Sequence, residues 1–193
     1  TQGVFYLKLS AKDGSTKYAN KRRFSPKELD AFGDKNTSKD KKSKDSGLDA
    51  SFKFDDIVVM KDGGLLATAE ENYSYTVTRT TTNGGTTSTT YYVSNSIIAV
   101  NINPSGEVSN VGIVPKRQKM TVPTFGSYAT LRSDDKVYFV YNDDSDNLRK
   151  NITDPDKIRR ISSAKECVAV MTTLDGKGKM NRKQLFTKKE AKT

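Results

Sequence analysis

The chain has 193 residues, a net charge of +10, no histidine, no tryptophan, one cysteine and an apolar share of only 34%. That length allows one domain with a sizeable core, and the missing histidine removes Ser-His-Asp and Cys-His catalysis together with the commonest zinc ligand. The lone Cys167 excludes an internal disulfide and a thiolate cluster, and no run of 18 or more apolar residues is present to cross a membrane as a helix.

The charge is unevenly spread: residues 1–48 sum to +6, residues 49–115 to −4 and residues 116–193 to +8. The basic groups are strewn through loops and alternate with aspartate, as in Lys39-Asp40-Lys41-Lys42. A phosphate-tracking stripe would be more concentrated and interleaved with aromatics, so nucleic acid is not the expected partner. Residues 1–20 hold no signal-peptide pattern. A strand so near the first residue suggests a mature protein or an excised piece of a longer one.

Taken in order, residues 4–9 (Val-Phe-Tyr-Leu-Lys-Leu) are strand-like, Asp13-Gly14 makes a turn and residues 16–24 return as a second strand. Ser25-Pro26-Lys27-Glu28 opens a short helix, with Ser25 as N-cap, Pro26 at the first helical position and Glu28 closing a capping box. Residues 35–47 contain no apolar side chain and predict a mobile loop.

Four strands follow in residues 57–114. Ile57-Val58-Val59-Met60 precedes the turn Asp62-Gly63-Gly64 and residues 65–70. Ile97-Ile98-Ala99-Val100 precedes the turn Pro104-Ser105-Gly106 and residues 107–114. Their apolar residues come in runs, which predicts burial on both faces and a sheet sandwiched between two neighbours. Between the second and third strands, residues 73–93 form a hairpin of their own around Asn83-Gly84-Gly85. A two-residue Asn83-Gly84 loop would set Tyr75 opposite Tyr92, and a three-residue loop would set Tyr75 opposite Val93. Both registers gather tyrosines near the base and leave a threonine-rich tip.

The plan then recurs. Residues 128–132, Val137-Tyr138-Phe139-Val140-Tyr141, residues 168–171 and residues 180–186 read as strands, with an excursion at 143–163 between the second and third. Setting aside the 21-residue insertions, segments 57–114 and 127–186 keep cores of 37 and 39 residues. That is close to the length of a four-stranded propeller blade. Residues 4–24 match the second half of the same unit. The expected architecture is therefore all-β: about two and a half four-stranded antiparallel propeller-like blades, part of a larger propeller. A meander sandwich of unrelated hairpins is the competing arrangement.

The chemistry expected of these residues is limited. No P-loop and no G-x-G-x-x-G is present, and no cofactor is implied. The acidic pairs Asp55-Asp56, Glu70-Glu71, Asp134-Asp135 and Asp143-Asp144 could in principle cleave glycosides, but they sit at turns and strand ends where Asp is favoured anyway. No catalytic residue and no metal ligand is assigned. Asn142, Asp144 and Asp146 alternate like the start of a calcium loop, yet Asn147 stands where the sixth-position glycine belongs and Thr153 where the bidentate Glu belongs. Cys167 lies in the apolar run Cys167-Val168-Ala169-Val170-Met171 and is expected to be a buried, inert thiol. Tyr73, Tyr75, Tyr91 and Tyr92 either brace the hairpin or form a contact surface for protein or glycan.

Several stretches also resemble a known group. In order, these are Gly3-Val4-Phe5-Tyr6-Leu7-Lys8-Leu9, Asp56-Ile57-Val58-Val59-Met60-Lys61-Asp62-Gly63-Gly64 and Glu70-Glu71-Asn72-Tyr73. They continue with the Thr/Tyr-rich hairpin, Asn95-Ser96-Ile97-Ile98-Ala99-Val100-Asn101-Ile102, Val114-Pro115-Lys116-Arg117-Gln118 and Val137-Tyr138-Phe139-Val140-Tyr141-Asn142-Asp143. Together they resemble uncharacterised, exported propeller-like β-repeat proteins of Bacteroidetes bacteria. The resemblance implies an exported location (periplasm, outer-membrane surface or secreted) and a longer parent whose remaining blades, or a protein partner, complete the structure. It supplies no activity. The expected function is a non-catalytic binding or scaffold module; the alternative is a carbohydrate-active domain whose other blades supply the acidic residues.

Overall fold

The structure is a computed structural model. It describes residues 3–26, 28–29, 52–133, 136–152, 154–155, 157–163, 167–175, 179–186 and 190. The expected mobile loop at 35–47 and the Asp134-Asp135 turn lie outside these residues.

The fold is all-β, in three antiparallel layers that follow one another along the chain. Strands β1 (Gly3–Leu9) and β2 (Thr16–Arg23) make a hairpin. Strands β3 (Phe52–Val59), β4 (Leu65–Thr80), β5 (Thr86–Ile102) and β6 (Val108–Val114) form a meander, and the short β7 (Gln118–Met120) pairs with the outer part of β5. Strands β8 (Tyr128–Ser133), β9 (Lys136–Asp144), β10 (Cys167–Asp175) and β11 (Met180–Gln184) form a second meander. A 3-10 turn (Pro123–Phe125) lies on the crossover between the meanders, and a one-turn helix α1 (Ser145–Arg149) follows β9. At the end of β2, Ser25 and Glu28 exchange capping-box bonds: Ser25 N–H donates to Glu28 Oε2 at 2.7 Å, and Glu28 N–H to Ser25 Oγ at 3.3 Å.

Turn chemistry explains the short connections. Met60 N–H donates to Gly64 O, Thr81 N–H to Gly85 O and Asn103 N–H to Glu107 O, at 2.7–2.9 Å. Each therefore closes a three-residue loop whose last member is a glycine with positive φ: Gly63 at 86°, Gly84 at 77° and Gly106 at 84°. A glycine takes that left-handed conformation without the cost a Cβ would bring.

Two cores separate the layers. Between the meanders, Val58, Leu66, Ile97, Ala99 and Val114 pack against Val137, Phe139, Tyr141, Val168, Val170 and Leu174. On the opposite face of the first meander, Ala67, Ile98, Val100 and Ile102 pack with Phe24 and with Val4 and Tyr6 of the hairpin. The first meander is thus the middle layer, and alternate residues of β4 and β5 feed different cores. This is why Val93–Ile102 is buried without interruption.

Three expectations need correction. Burial on both faces does not hold for the β3 strand, where Val58 is buried but Ile57 and Val59 are 60% and 67% exposed. They lie at a sheet edge that the neighbouring hairpin does not cover. In β9 and β10, buried residues alternate with half-buried ones, so one face alone meets a neighbouring sheet. Residues 73–93 are also no separate hairpin: β4 and β5 run straight through as strands of 16 and 17 residues.

Neither expected hairpin register is realised. A bulge between Glu70 and Asn72 shifts the pairing by one, and the loop is Thr82-Asn83-Gly84, so Tyr75 faces Tyr91 and Val77 faces Thr89. A single-residue slip moves each side chain to the other face of its strand.

Candidate functional site

The outer halves of β4 and β5 leave the middle layer as a two-stranded arm. The register sorts its side chains onto two faces. One carries Ser74, Thr76 and Thr78 opposite Tyr92, Thr90 and Ser88. Hydroxyl pairs link Thr76 to Thr90 at 2.9 Å and Thr78 to Ser88 at 3.0 Å. The other carries Tyr73, Tyr75 and Val77 opposite Val93, Tyr91 and Thr89. The four singled-out tyrosines are therefore divided. Tyr73, Tyr75 and Tyr91 come together, whereas Tyr92 faces away, beside Met120 in the β5–β7 register.

The three clustered rings form a contiguous surface. Tyr73 and Tyr75 stack with centroids 6.4 Å apart, and Tyr75 meets Tyr91 at 5.4 Å. Lys119, opposite Val93 on β7, sets its ammonium 4.2 Å from the Tyr91 centroid and 5.2 Å from that of Tyr75. Ring quadrupoles attract such a cation. Lys119 comes from a strand some 28 positions further along than Tyr91, and nothing in its neighbourhood in the sequence marks it as a partner of the tyrosines. Tyr75 is 38% exposed. The face combines rigid aromatic area, hydroxyl tips and one cation.

The base of the arm is anchored by a sealed polar network. The Lys116 ammonium and the Glu70 carboxylate form an ion pair with both side chains fully buried. Asn72 Nδ2 and Ser127 Oγ donate to Glu70 Oε2 at 3.0 and 2.8 Å. Gln118 accepts from Lys116 at 3.2 Å and from Ser127 N–H at 2.7 Å, and donates to Asn142 O at 2.8 Å. Ser127 holds φ at 69°, an uncommon conformation for a residue with a Cβ, within this network. Burial pushes the Lys116 pKa below its ordinary value, although Glu70 opposes the shift. No substrate reaches a pair so enclosed, and its work is to hold the crossover from β6 to β8 against both meanders. Beside it, Tyr128 Oη donates to Asp55 at 2.9 Å and lies 3.1 Å from Thr68 Oγ1, and partial burial raises the Asp55 carboxyl pKa.

The remaining acidic candidates among the described residues are likewise engaged in structure. Asp144 caps α1, accepting from Asp146 N–H at 2.8 Å. Asp146 is bound by the Arg149 and Arg159 guanidinium groups, and Asn142 Nδ2 donates to Phe125 O. Asp144 and Asp146 share the Arg159 guanidinium, and among the described residues no group of three or more His, Cys, Asp or Glu is placed to hold a metal ion. Asp143 is buried against Arg182 and accepts from Asn147 Nδ2 at 2.7 Å; burial raises its pKa despite these partners. Cys167, expected to be buried, is partly exposed at the start of β10, and desolvation raises its thiol pKa.

A separate cleft of about 340 Å³ opens at the turn end of the middle layer, lined by Met60, Leu65, Asn101, Ile102, Asn103 and Ser109. Asn103 Oδ1 accepts from Glu107 N–H and Ser109 Oγ donates to Asn101 O, whereas Asn101 Nδ2 is buried without a hydrogen-bond partner. No protein-family model, curated protein or solved structure matches this chain.

Proposed function

We propose that the chain is a non-catalytic binding or scaffold module of an exported bacterial protein, with Tyr73, Tyr75, Tyr91 and Lys119 as its contact surface. The observation that carries this is the partly exposed tyrosine face on an arm held at its base by a buried ion pair. Aromatic rings lose little conformational entropy on binding and supply large amphipathic area, which is why they dominate contact energetics. A propeller-like arrangement is the fold reading that goes with it. Its support is the sequential stacking of a hairpin and two four-stranded antiparallel meanders. An exported location and a longer parent rest on the family resemblance.

The second reading, a carbohydrate-active domain, draws on the same rings, since sugar faces stack on tyrosine. A glycan array and a protein-interaction screen with the chain and its Tyr75→Ser/Tyr91→Ser variant test both. Loss of a specific ligand in the variant supports the contact surface; a ligand retained undiminished overturns it. A glycoside hydrolysis assay on the same ligands separates binding from catalysis.

A further inference from the structure

Strand β4 changes neighbours along its length. On one side it pairs with β3 as far as Glu71; beyond that, among the described residues, it pairs only with β5 on the other side. The ladder fixes which main-chain groups the open edge presents. Along an antiparallel pair, residues alternate between bonding to the partner strand and pointing away from it. Thr81 N–H donates to Gly85 O, so Arg79, Val77 and Tyr75 bond to Thr87, Thr89 and Tyr91. The N–H and C=O groups of Ser74, Thr76, Thr78 and Thr80 therefore point out of the arm, and all four residues are exposed.

Natural sheets blunt such an edge with lysine, proline or a bulge. Residues 74–80 have none of these. Their one charge, Arg79, is also the one charge in residues 73–93 of a chain that carries +10 overall. The stretch is its own complement. Pairing must keep like faces together, because a slip of one residue reverses every side chain. A two-fold axis at the central residue, Val77, does so. It sets Val77 against Val77, Thr76 against Thr78, Tyr75 against Arg79 and Ser74 against Thr80 of a second copy. Hydroxyls meet hydroxyls on one face. On the other, a guanidinium meets an aromatic ring that attracts it. The two Arg79 side chains lie roughly 14 Å apart along the pair, beyond the Debye length of about 8 Å, so they do not oppose it.

We propose that the open edge of β4 at residues 74–80 pairs antiparallel with the same edge of a second copy of this chain, joining two arms into one four-stranded sheet. Each copy offers four outward N–H and four outward C=O groups, so about eight main-chain bonds close the contact. The edge of β5 is the poorer candidate, because beyond β7 only Thr86, Ser88 and Thr90 point outward. A contact this small falls below the roughly 1,200 Å² of a standard interface, so the dimer is a weak one. The axis stands perpendicular to the sheet, which brings Tyr73, Tyr75 and Tyr91 of both copies to the same face. A multivalent ligand then meets two tyrosine surfaces at once. The pairing goes beyond the binding-module reading and does not depend on what the tyrosines bind.

Sedimentation equilibrium from micromolar to millimolar chain, with amide exchange followed by NMR at both ends of that range, tests the pairing. A monomer–dimer equilibrium is expected, with an alternating signature. The amides of Ser74, Thr76, Thr78 and Thr80 gain protection as concentration rises, whereas those of Tyr75, Val77 and Arg79 change little. Thr78→Pro removes an outward N–H at an edge position, where proline is tolerated. Val77→Lys sets two ammonium groups against each other on the axis. Each should weaken the dimer at least about tenfold, the first because both copies lose a main-chain bond. Tyr91→Ser, on the neighbouring strand, should leave it unchanged. A chain that stays monomeric at millimolar concentration, a dimer that both variants leave undiminished, growth beyond the dimer, or protection gained at Thr86, Ser88 and Thr90 in place of the β4 residues would overturn the proposal. Ligand binding at the tyrosines by a strictly monomeric chain would overturn the pairing and leave the contact surface intact. A dimer with the expected signature whose tyrosine face binds nothing would sink the contact-surface reading alone.

Discussion

Strands β4 and β5 pass through two environments, and the same ladder behaves differently in each. Their inner halves, with Leu66, Ala67, Ile97, Ile98 and Val100, are buried on both faces because one core lies on either side. Their outer halves, with Thr76, Thr78, Ser88 and Thr90, have neither neighbour, and exposed threonines and half-buried tyrosines replace the aliphatic residues. The boundary is the bulge between Glu70 and Asn72, where Glu71 and Asn95 bond at 2.9 Å and the Glu70–Lys116 pair sits. A bulge bends a strand and increases its twist, so the arm leaves the layer where its register changes. Backbone pairing is common to both halves; layer coverage distinguishes them, and it should govern their energetics.

The largest expected effect is at the boundary. Lys116→Ala leaves Glu70 buried without its counter-ion, which should cost about 3–5 kcal/mol. Replacing both partners, as Glu70→Leu with Lys116→Met, should recover most of that loss, because two desolvated charges are removed together. Urea unfolding of the two variants and the unaltered chain decides this. Equal destabilisation of the single and double variants would show that the pair is not the anchor.

The next effect compares inner and outer halves directly. Ile98→Ala, at a position 1% exposed, should cost about 2–5 kcal/mol through lost transfer energy and a residual cavity. Thr78→Ala in the outer half should stay within about 0.5 kcal/mol. The turns repeat the contrast. Gly84 and Gly106 both hold positive φ, and alanine there costs about 1–2 kcal/mol from that conformation. A Cβ on Gly84 would meet nothing within 4 Å, whereas one on Gly106 would lie 3.1 Å from Tyr18 Cβ and Tyr6 Cε1. Gly106→Ala should therefore lower the global melting temperature more than Gly84→Ala, whose cost falls on a tip that opens independently.

The strands of both meanders were legible in their apolar runs, and the short turns in Asp62-Gly63-Gly64, Asn83-Gly84-Gly85 and Pro104-Ser105-Gly106. Positive-φ turns leave a glycine signature, and a buried strand leaves an apolar one. The hairpin register was not legible, because the bulge at Glu70 and Asn72 leaves no mark in composition. Coverage was legible only on average. Ile57 and Val59 look as buried in sequence as Ile97 and Ile98, and what exposes them is the width of another layer. Lys116 reads as one basic residue in a basic stretch; its partner is 46 positions earlier, and the ladder that sets Glu70 opposite Ile97 and Ile97 opposite Val114 brings the two together. Lys119 escaped for the same reason. It was the tyrosines, not their cation, that the sequence marked.

Lys119 also supplies the smallest and most discriminating measurement. Its ammonium lies against the rings of Tyr75 and Tyr91, and a contact of this kind at a partly exposed site contributes about 0.5–1 kcal/mol. Lys119→Ala removes it while β7 keeps its backbone pairing with β5 through Gln118 and Met120. If the arm is an independently opening unit on a rigid base, the loss should appear as faster hydrogen exchange at residues 72–80 and 86–92. Exchange at residues 97–102 and the urea midpoint should then stay unchanged. Lys119→Arg should restore protection, since guanidinium also sits on aromatic faces. A shift in the global midpoint equal to the local change would show instead that arm and base unfold as one, and the distinction between the two halves of the ladder would fail.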